Sequence, residues 1–318
     1  MRKSIVLGLA ALALALSAQS APALDKISYG TAVKLSPVYY LPVLAGQEQD
    51  IFKKNGLDVE WVPSNSGPDF HRALAAGAVQ IGSSNSATDI PAIGHGAPSV
   101  IVADLQTADN FGIWVSTKGH INAIQDLKGA KIGVSRLAGA EDSYGKLVAS
   151  KAGIEGMQYT ATGGVEASMA LLVTGGIDGV VLTPHQMIDL KLQGKVQEVA
   201  EVEKYKPQPW VSYTIVATKD FVAKQPDVAK RVIRSILEAD AYITSPAGKP
   251  WALAKMKEES HYSDAAAPAV YDETTLSTDG KIDRAAVKNV VDFMVQYDLI
   301  KANDVPNIDA LFTDQFVK

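Results

Sequence analysis

The 318-residue sequence predicts an α/β protein built from two lobes. Short apolar runs rich in Val and Ile alternate with segments of helical period along most of the chain, which is typical of strands connected by helices. The length exceeds that of a typical single domain, so two packed units are expected. Two extended segments, at 111–116 and 211–218, interrupt the alternation and are predicted to be crossovers between the lobes.

The N-terminus has the features of a secretory signal peptide. Arg2 and Lys3 precede an apolar run at 5–16, and Ala21-Pro22-Ala23 supplies a cleavage pattern of small residues. The run is shorter than the roughly twenty apolar residues that a membrane-spanning helix needs, which makes a retained anchor the weaker alternative. We therefore expect a signal peptide at 1–23, cleaved after Ala23, and a secreted protein.

Composition excludes several classes of function. The formal net charge is −5 and no block of Lys and Arg occurs, which argues against nucleic-acid binding. The chain has no cysteine, which excludes a lipid-modified cysteine, a thiolate zinc site and a cysteine nucleophile. Its five histidines lack metal-ligand spacing, and no nucleophile elbow, phosphate loop or dinucleotide fingerprint is complete. We expect no metal, no cofactor and no enzymatic activity.

The predicted elements of the first lobe follow a repeated strand–helix order. Gly56 and Gly77 fall where helices should end, because glycine readily adopts the left-handed conformation found just after a helix. Pro68 and Asp69 have the residue types that open a helix. The elements are a strand at 26–29, a helix around 41–44, a strand at 57–62, a helix from 68, a strand at 79–81 that leads into a loop at 82–86, and a strand at 100–103.

The second lobe repeats this order, with apolar strands at 131–135 and 180–182 that are each followed by a loop and a helix. The chain is predicted to leave the first lobe near Gln106 and to return near Ala217. The helical C-terminal third, from 220 to 318, is expected to pack on the first lobe. The predicted division is therefore a discontinuous lobe I at 24–106 and 218–318 around an inserted lobe II at 107–217.

Four stretches resemble the nitrate/sulfonate/taurine-type family of solute-binding proteins, namely 49–60, 73–81, 126–134 and 175–180, with a looser likeness at 226–231. The wider fold group includes proteins and enzymes that handle thiamine-pyrimidine precursors. The resemblance implies a type II-like periplasmic binding protein fold, in which two hinge strands join the lobes and a ligand cleft lies between them. It also implies a monomer in the periplasm that delivers a small molecule to the permease and ATPase of an ABC importer.

Candidate ligand-binding residues follow from the position of loops after strands, where helix N-termini point at a bound molecule. Hydroxyl and amide side chains after the strand at 79–81 are the main candidates, although any one of them is equally suited to cap a helix. Two adjacent tyrosines combine stacking with hydrogen bonding, and one of them is expected to be core packing. The predicted site comprises Lys34, Ser36, Tyr39, Tyr40, Ser66, Ser83, Ser84, Asn85, Ser86, Arg136, Gly139, Ala140, His185 and Trp210.

The predicted ligand is a small organic anion, a sulfonate or carboxylate with an apolar or aromatic part, which Arg136 is suited to clamp. Glu141 would repel a sulfonate if it faced the cleft, and we interpret Glu141 and Asp142 as first-turn residues of a helix. The main alternative is a neutral nitrogenous compound such as a pyrimidine or an amide. A thiamine-precursor-type enzyme and a periplasmic sensor partner are further alternatives, the enzyme being disfavoured by the absence of cysteine.

Overall fold

The computed structural model describes residues 23–34, 36–106, 110–274, 276–305 and 307–317. All but the last residue of the expected signal peptide lies outside the described residues. Within the described residues, ten strands form two five-stranded sheets. The strands are β1 (Asp25–Thr31), β2 (Leu57–Pro63), β3 (Ile81–Asn85), β4 (Ser99–Gln106), β5 (Gly112–Ser116), β6 (Lys131–Val134), β7 (Gln158–Ala161), β8 (Gly179–Leu182), β9 (Val196–Glu201) and β10 (Tyr213–Thr218).

The two sheets share one topology. The first has the order β2-β1-β3-β10-β4 and the second has the order β7-β6-β8-β5-β9. The first three strands of each order run parallel, whereas β10 and β5 are antiparallel to both of their neighbours. Each antiparallel strand is the first that the chain forms after it crosses from the other sheet. The two crossovers therefore lie between β4 and β5 and between β9 and β10.

In the part of the chain that the structure describes, twelve α-helices connect and cover the sheets. They are α1 (Pro37–Glu48), α2 (Ile51–Lys54), α3 (Gly67–Ala75), α4 (Ser86–Gly94), α5 (Ala140–Lys151), α6 (Val165–Thr174), α7 (Pro184–Leu192), α8 (Lys219–Lys224), α9 (Pro226–Thr244), α10 (Lys249–Ser260), α11 (Ala266–Glu273) and α12 (Arg284–Gln296). None of these helices is both long and apolar enough to cross a bilayer, within the part of the chain that the structure describes.

Helices cover both faces of the first sheet, and its strands β3 and β4 are buried along their whole length. Every residue of β4 is buried, as is typical of strands covered on both sides. The ring of Phe70, on α3, is fully buried against Gly30 and Gly82 of neighbouring strands. A Cβ at Gly82 would lie 2.1 Å from the carbonyl oxygen of Gly30 and 2.7 Å from Cε2 of Phe70, so this contact requires glycine.

The predicted fold class is confirmed by this architecture, and two local details differ. The polar residues at 83–85 form the end of β3 and not a loop, because they pair with β10, where Ser84 lies opposite Thr214. The strand β10, most of which the sequence analysis placed in lobe II, belongs to the first sheet. Of the C-terminal helices, α9 packs on α1 and α12 packs on α4, while α11 packs on α7 beside the second sheet.

Candidate functional site

A cavity lies between the two sheets, at the ends of strands from both. It is partly open to solvent, and the space among its lining atoms, open solvent included, amounts to about 410 Å³. The N-terminal ends of α1, α3, α4, α5 and α7 all contribute to its wall, so backbone N–H groups and the positive ends of five helix dipoles surround it. The lining residues are Ala32, Val33, Ser36, Tyr39, Gly67, Ser84, Asn85, Thr88, Phe111, Ala140, Glu141, Thr183, Gln186 and Tyr213.

The first-sheet wall presents a buried hydroxyl without a protein partner. Ser84 is fully buried, and its Oγ has no hydrogen-bond partner among the described residues. Its neighbours are committed to the protein: Ser83 Oγ lies 2.5 Å from the hydroxyl of Tyr29, and Ser86 donates to the carbonyl of Val211 at 2.5 Å. A buried polar atom that faces a cavity and lacks a protein partner is satisfied by ordered water or by a bound ligand.

Aromatic side chains form an apolar part of the wall. The rings of Tyr39 and Tyr213 meet edge to face, with centroids 5.2 Å apart and an interplanar angle of 71°. Phe111, at the first crossover, lies against the cavity and packs on Tyr144 with centroids 5.1 Å apart. This surface suits the apolar or aromatic part of a small molecule.

The second-sheet wall contributes a buried carboxylate at the start of α5. Glu141 accepts a hydrogen bond from the backbone N–H of Ser135 at 3.1 Å and another from the Ser135 hydroxyl at 2.8 Å. Burial, together with the smaller effect of the nearby Asp142 charge, raises the pKa of Glu141 to about 7 against the opposing effect of the two Ser135 hydrogen bonds. Glu141 therefore occupies the first turn of its helix, as expected, but it also faces the cavity, contrary to our interpretation of the sequence.

The start of α7 closes another side of the cavity. Gln186 accepts a hydrogen bond from the backbone N–H of Thr183 at 3.0 Å, which fixes the Gln186 side chain, and Thr183 Oγ1 lies 3.0 Å from His185 Nε2. His185 lines an adjoining cavity that shares Thr183 and Tyr213 with the first. Burial lowers the pKa of His185 to about 4, so its ring is neutral at pH 7 and carries no positive charge toward a ligand.

Several hydrogen bonds cross between the two lobes around the cavity. The hydroxyl of Tyr144 donates to Asn85 Oδ1 at 3.2 Å, and Arg136 Nε donates to Asp69 Oδ2 at 3.4 Å. On another side, Ser36 Oγ lies 3.3 Å from His185 Nε2. The lobes are therefore in contact on several sides of the cavity.

Of the residues predicted for the site, Ser36, Tyr39, Ser84, Asn85 and Ala140 line the cavity and His185 lines the adjoining one. The other eight line neither cavity. Lys34 is exposed, and Arg136 pairs with Asp69. Ser66 caps α3, Gly139 caps α5 opposite Pro68, and Ser83 and Ser86 make the bonds given above. Tyr40 is buried against α10, where its hydroxyl accepts a hydrogen bond from Ser260, and Trp210 packs between Tyr144 and Phe293.

The predicted site omitted several lining residues. Thr88 belongs to the same polar stretch, two residues after Ser86, and Thr183 and Gln186 flank His185. The sequence therefore identified these neighbourhoods but not the side-chain directions. Tyr213 begins an antiparallel strand in the crossover segment at 211–218, which the sequence indicated without giving the direction of this ring. Phe111 carries only an apolar signal, which does not distinguish a cavity wall from core. The described residues contain no cluster of three His, Asp or Glu side chains that is suited to a metal ion.

Comparisons with known proteins agree with this architecture. A family model described as "NMT1/THI5 like" matches residues 38–247. The chain is 30% identical over 209 residues to the taurine-binding periplasmic protein of Escherichia coli strain K12, covering 64% of each chain. It is 24% identical over 232 residues to 4-amino-5-hydroxymethyl-2-methylpyrimidine phosphate synthase of Schizosaccharomyces pombe, covering 68% of this chain and 64% of that one. The match thus spans just under two thirds of either relative's length.

Solved structures show the fold over nearly the whole chain. A Candida albicans protein with the generic periplasmic binding protein fold superposes with a TM-score of 0.79 at 14% identity, covering 94% of this chain and 98% of that one. The periplasmic aliphatic sulphonate-binding protein of Escherichia coli superposes with a TM-score of 0.71 at 17% identity, covering 92% and 93%. This chain has the periplasmic binding protein fold, and it belongs to the NMT1/THI5-like family, in agreement with the resemblance identified from its sequence.

Proposed function

We propose that the protein is the periplasmic solute-binding component of an ABC importer and holds one small molecule in the cavity between its lobes. The observation that carries this proposal is the fully buried, unpartnered hydroxyl of Ser84 in a cavity surrounded by five helix N-termini. The taurine-binding relative supports it by analogy. Capture in the periplasm, cleavage of residues 1–23 and delivery as a monomer to a permease and an ATPase belong to the same proposal.

The first-sheet wall is suited to an acceptor-rich group of the ligand. Ser84 and Thr88 carry hydroxyls there, and the N-termini of α1, α3 and α4 add backbone donors and positive dipole ends. A carboxylate, sulfonate or carbonyl oxygen fits this wall, while Tyr39, Tyr213 and Phe111 cover an apolar part. Arg136 is bonded to Asp69 and does not line the cavity, so the clamp that the sequence suggested for a simple anion has no support here.

We further propose that ligand binding closes the two lobes about the two crossovers. One lobe would contain the first sheet, with the strand β10, and the other the second sheet. The cross-lobe bonds of Tyr144 and Ser36 would form in the closed state and break in the open state. A bound molecule would shift this equilibrium in proportion to its preference for the closed form.

The test is a thermal-shift screen of the mature protein against sulfonates, aliphatic and aromatic carboxylates, nitrate, pyrimidines and amides. A ligand at a hundredfold its dissociation constant adds about 2.7 kcal/mol to the free energy of unfolding, a readily measured shift. Any compound that binds is then followed by small-angle X-ray scattering, which should show a smaller radius of gyration. Turnover of a bound pyrimidine would instead support the enzyme alternative, and tight binding with no change in radius would contradict closure.

A further inference from the structure

We propose that Glu141 determines the specificity of the cavity and selects a dipolar solute, one that offers N–H donors to Glu141 and an acceptor group to the wall around Ser84. This inference rests on the proposed function and names the class of molecule that the cavity would hold. It excludes simple anions without an N–H group, such as nitrate or an unsubstituted alkanesulfonate.

The charge of the cavity wall disfavours a simple anion. Among the described lining residues, Glu141 is the only one whose side chain can carry a formal charge at neutral pH. The adjoining cavity adds another carboxyl group, that of Glu273, together with His185, whose low pKa keeps it neutral. No lysine or arginine among the described residues lines either space. An anion with no donor group would therefore meet no cationic side chain and, at Glu141, a buried carboxyl group that is partly ionised at neutral pH.

Glu141 can accept hydrogen bonds beyond those that the protein supplies. A carboxylate accepts up to about four hydrogen bonds, and Ser135 supplies two, one to each oxygen. The Glu141 side chain is thereby held in one orientation while both oxygens keep lone pairs for other donors. Glu141 is buried, and N–H donors, above all cationic ones, bind strongly to a buried carboxylate that has unused acceptor positions.

The first-sheet wall offers hydrogen-bond donors, whereas Glu141 offers acceptors. The hydroxyl of Ser84 and the N-termini of α1, α3 and α4 are donors, and they lie on the first-sheet side. A molecule with both an acceptor end and an N–H end satisfies both walls at once and links the two lobes. Amino acids, aminosulfonates, amides and aminopyrimidines share this chemistry.

The test compares pairs of compounds in which a methyl group replaces an amino group of similar size: taurine and propane-1-sulfonate, β-alanine and butyrate, 4-aminopyrimidine and 4-methylpyrimidine, benzamide and acetophenone. Dissociation constants are measured by calorimetry for the wild type and for Glu141→Gln. We expect the preferred amino compound to bind at least about tenfold more tightly than its methyl partner, which corresponds to one charge-assisted hydrogen bond. Glu141→Gln should remove most of that ratio.

The matched control is Glu166→Gln. Glu166 is the second residue of α6, as Glu141 is of α5, but it is exposed and does not line the cavity. This variant should keep the wild-type ratio, and circular dichroism verifies that both variants are folded. Equal binding of both members of each pair, a preference that survives Glu141→Gln, or no binding of any amino compound would overturn the inference. The proposed function is judged separately, since a nitrate or alkanesulfonate ligand that closes the lobes would retain it while excluding this selectivity.

Discussion

At the scale of single residues, Ser83 and Ser84 show how neighbouring positions of one strand acquire different roles. Side chains alternate across a strand, so Ser83 meets Tyr29 inside the protein while Ser84 faces the cavity. Ser83→Ala removes an internal hydrogen bond and should lower the free energy of unfolding by about 1 kcal/mol while leaving ligand affinity unchanged. Urea unfolding and calorimetry provide the two measurements.

Ser84→Ala should have the reverse effect. Its hydroxyl has no partner among the described residues, so its removal should leave the stability of the ligand-free protein unchanged or slightly increased. Ligand affinity should fall by roughly fivefold to tenfold, because the hydroxyl would no longer donate to the bound molecule. A loss of stability without a loss of affinity would show that Ser84 belongs to the core and not to the site.

Asp240 supports a prediction about pH. This residue of α9 is fully buried, and neither carboxylate oxygen has a partner in the described part of the chain. Burial holds its pKa well above the usual value, and the facing titratable group, the phenol of Tyr29, also has a raised pKa and is neutral. The unfolded state therefore releases this proton at lower pH than the folded state. Asp240 should therefore lower the free energy of unfolding progressively as the pH rises above about 4.

Asp240→Asn cannot ionise, so its melting temperature should match that of the wild type near pH 4 and exceed it increasingly toward neutral pH. Asp264→Asn is the control, because the Asp264 side chain is 93% exposed and should show no such trend. A difference between Asp240→Asn and wild type that stays constant with pH would contradict the assignment. Differential scanning fluorimetry across pH 4–8 is sufficient to measure it.

At the scale of elements, the second crossover is held by aromatic packing. Trp210 lies between Tyr144 of α5 and Phe293 of α12, with ring centroids 6.3 and 5.6 Å away, so it joins the two lobes at the second crossover. Trp210→Ala should lower the free energy of unfolding by about 3–5 kcal/mol, whereas Trp210→Phe should lower it much less. Neither change removes a lining residue, so Trp210→Phe should keep ligand affinity. A large affinity loss in Trp210→Phe would instead place this ring in contact with the ligand.

The sequence predicted elements better than side-chain directions, for physical reasons. The strand at 57–62 and the helix stops at Gly56 and Gly77 depend on local conformation, and all three are confirmed. The strand end at Ser84 depends on pairing with Thr214, far away in the chain, which a local pattern does not contain. Tyr39 and Tyr40 are about 100° apart around α1, so one faces the cavity and the other faces α10, but periodicity alone did not determine which.

At the scale of the whole molecule, contacts remote from the cavity should tune ligand affinity through the open–closed equilibrium. Ser263, in the segment between α10 and α11, donates to Asp189 Oδ1 of α7 at 2.6 Å, and Asp189 does not line the cavity. Because α7 follows a strand of the second sheet and α10 packs on α1 and α9, this bond links the two lobes. It should favour the closed state without touching the ligand.

Asp189→Ala removes that link and should shift the ligand-free protein toward the open state, which small-angle scattering would detect as a larger radius of gyration. Apparent affinity falls in proportion to the population of the binding-competent state, so the loss of one hydrogen bond of about 1 kcal/mol should weaken binding roughly fivefold. Asp292→Ala, which removes a pair with Lys288 within α12 alone, should change neither quantity. Weaker binding with an unchanged radius would mean that Asp189 acts locally on α7, and that the two lobes do not move as the closure proposal requires.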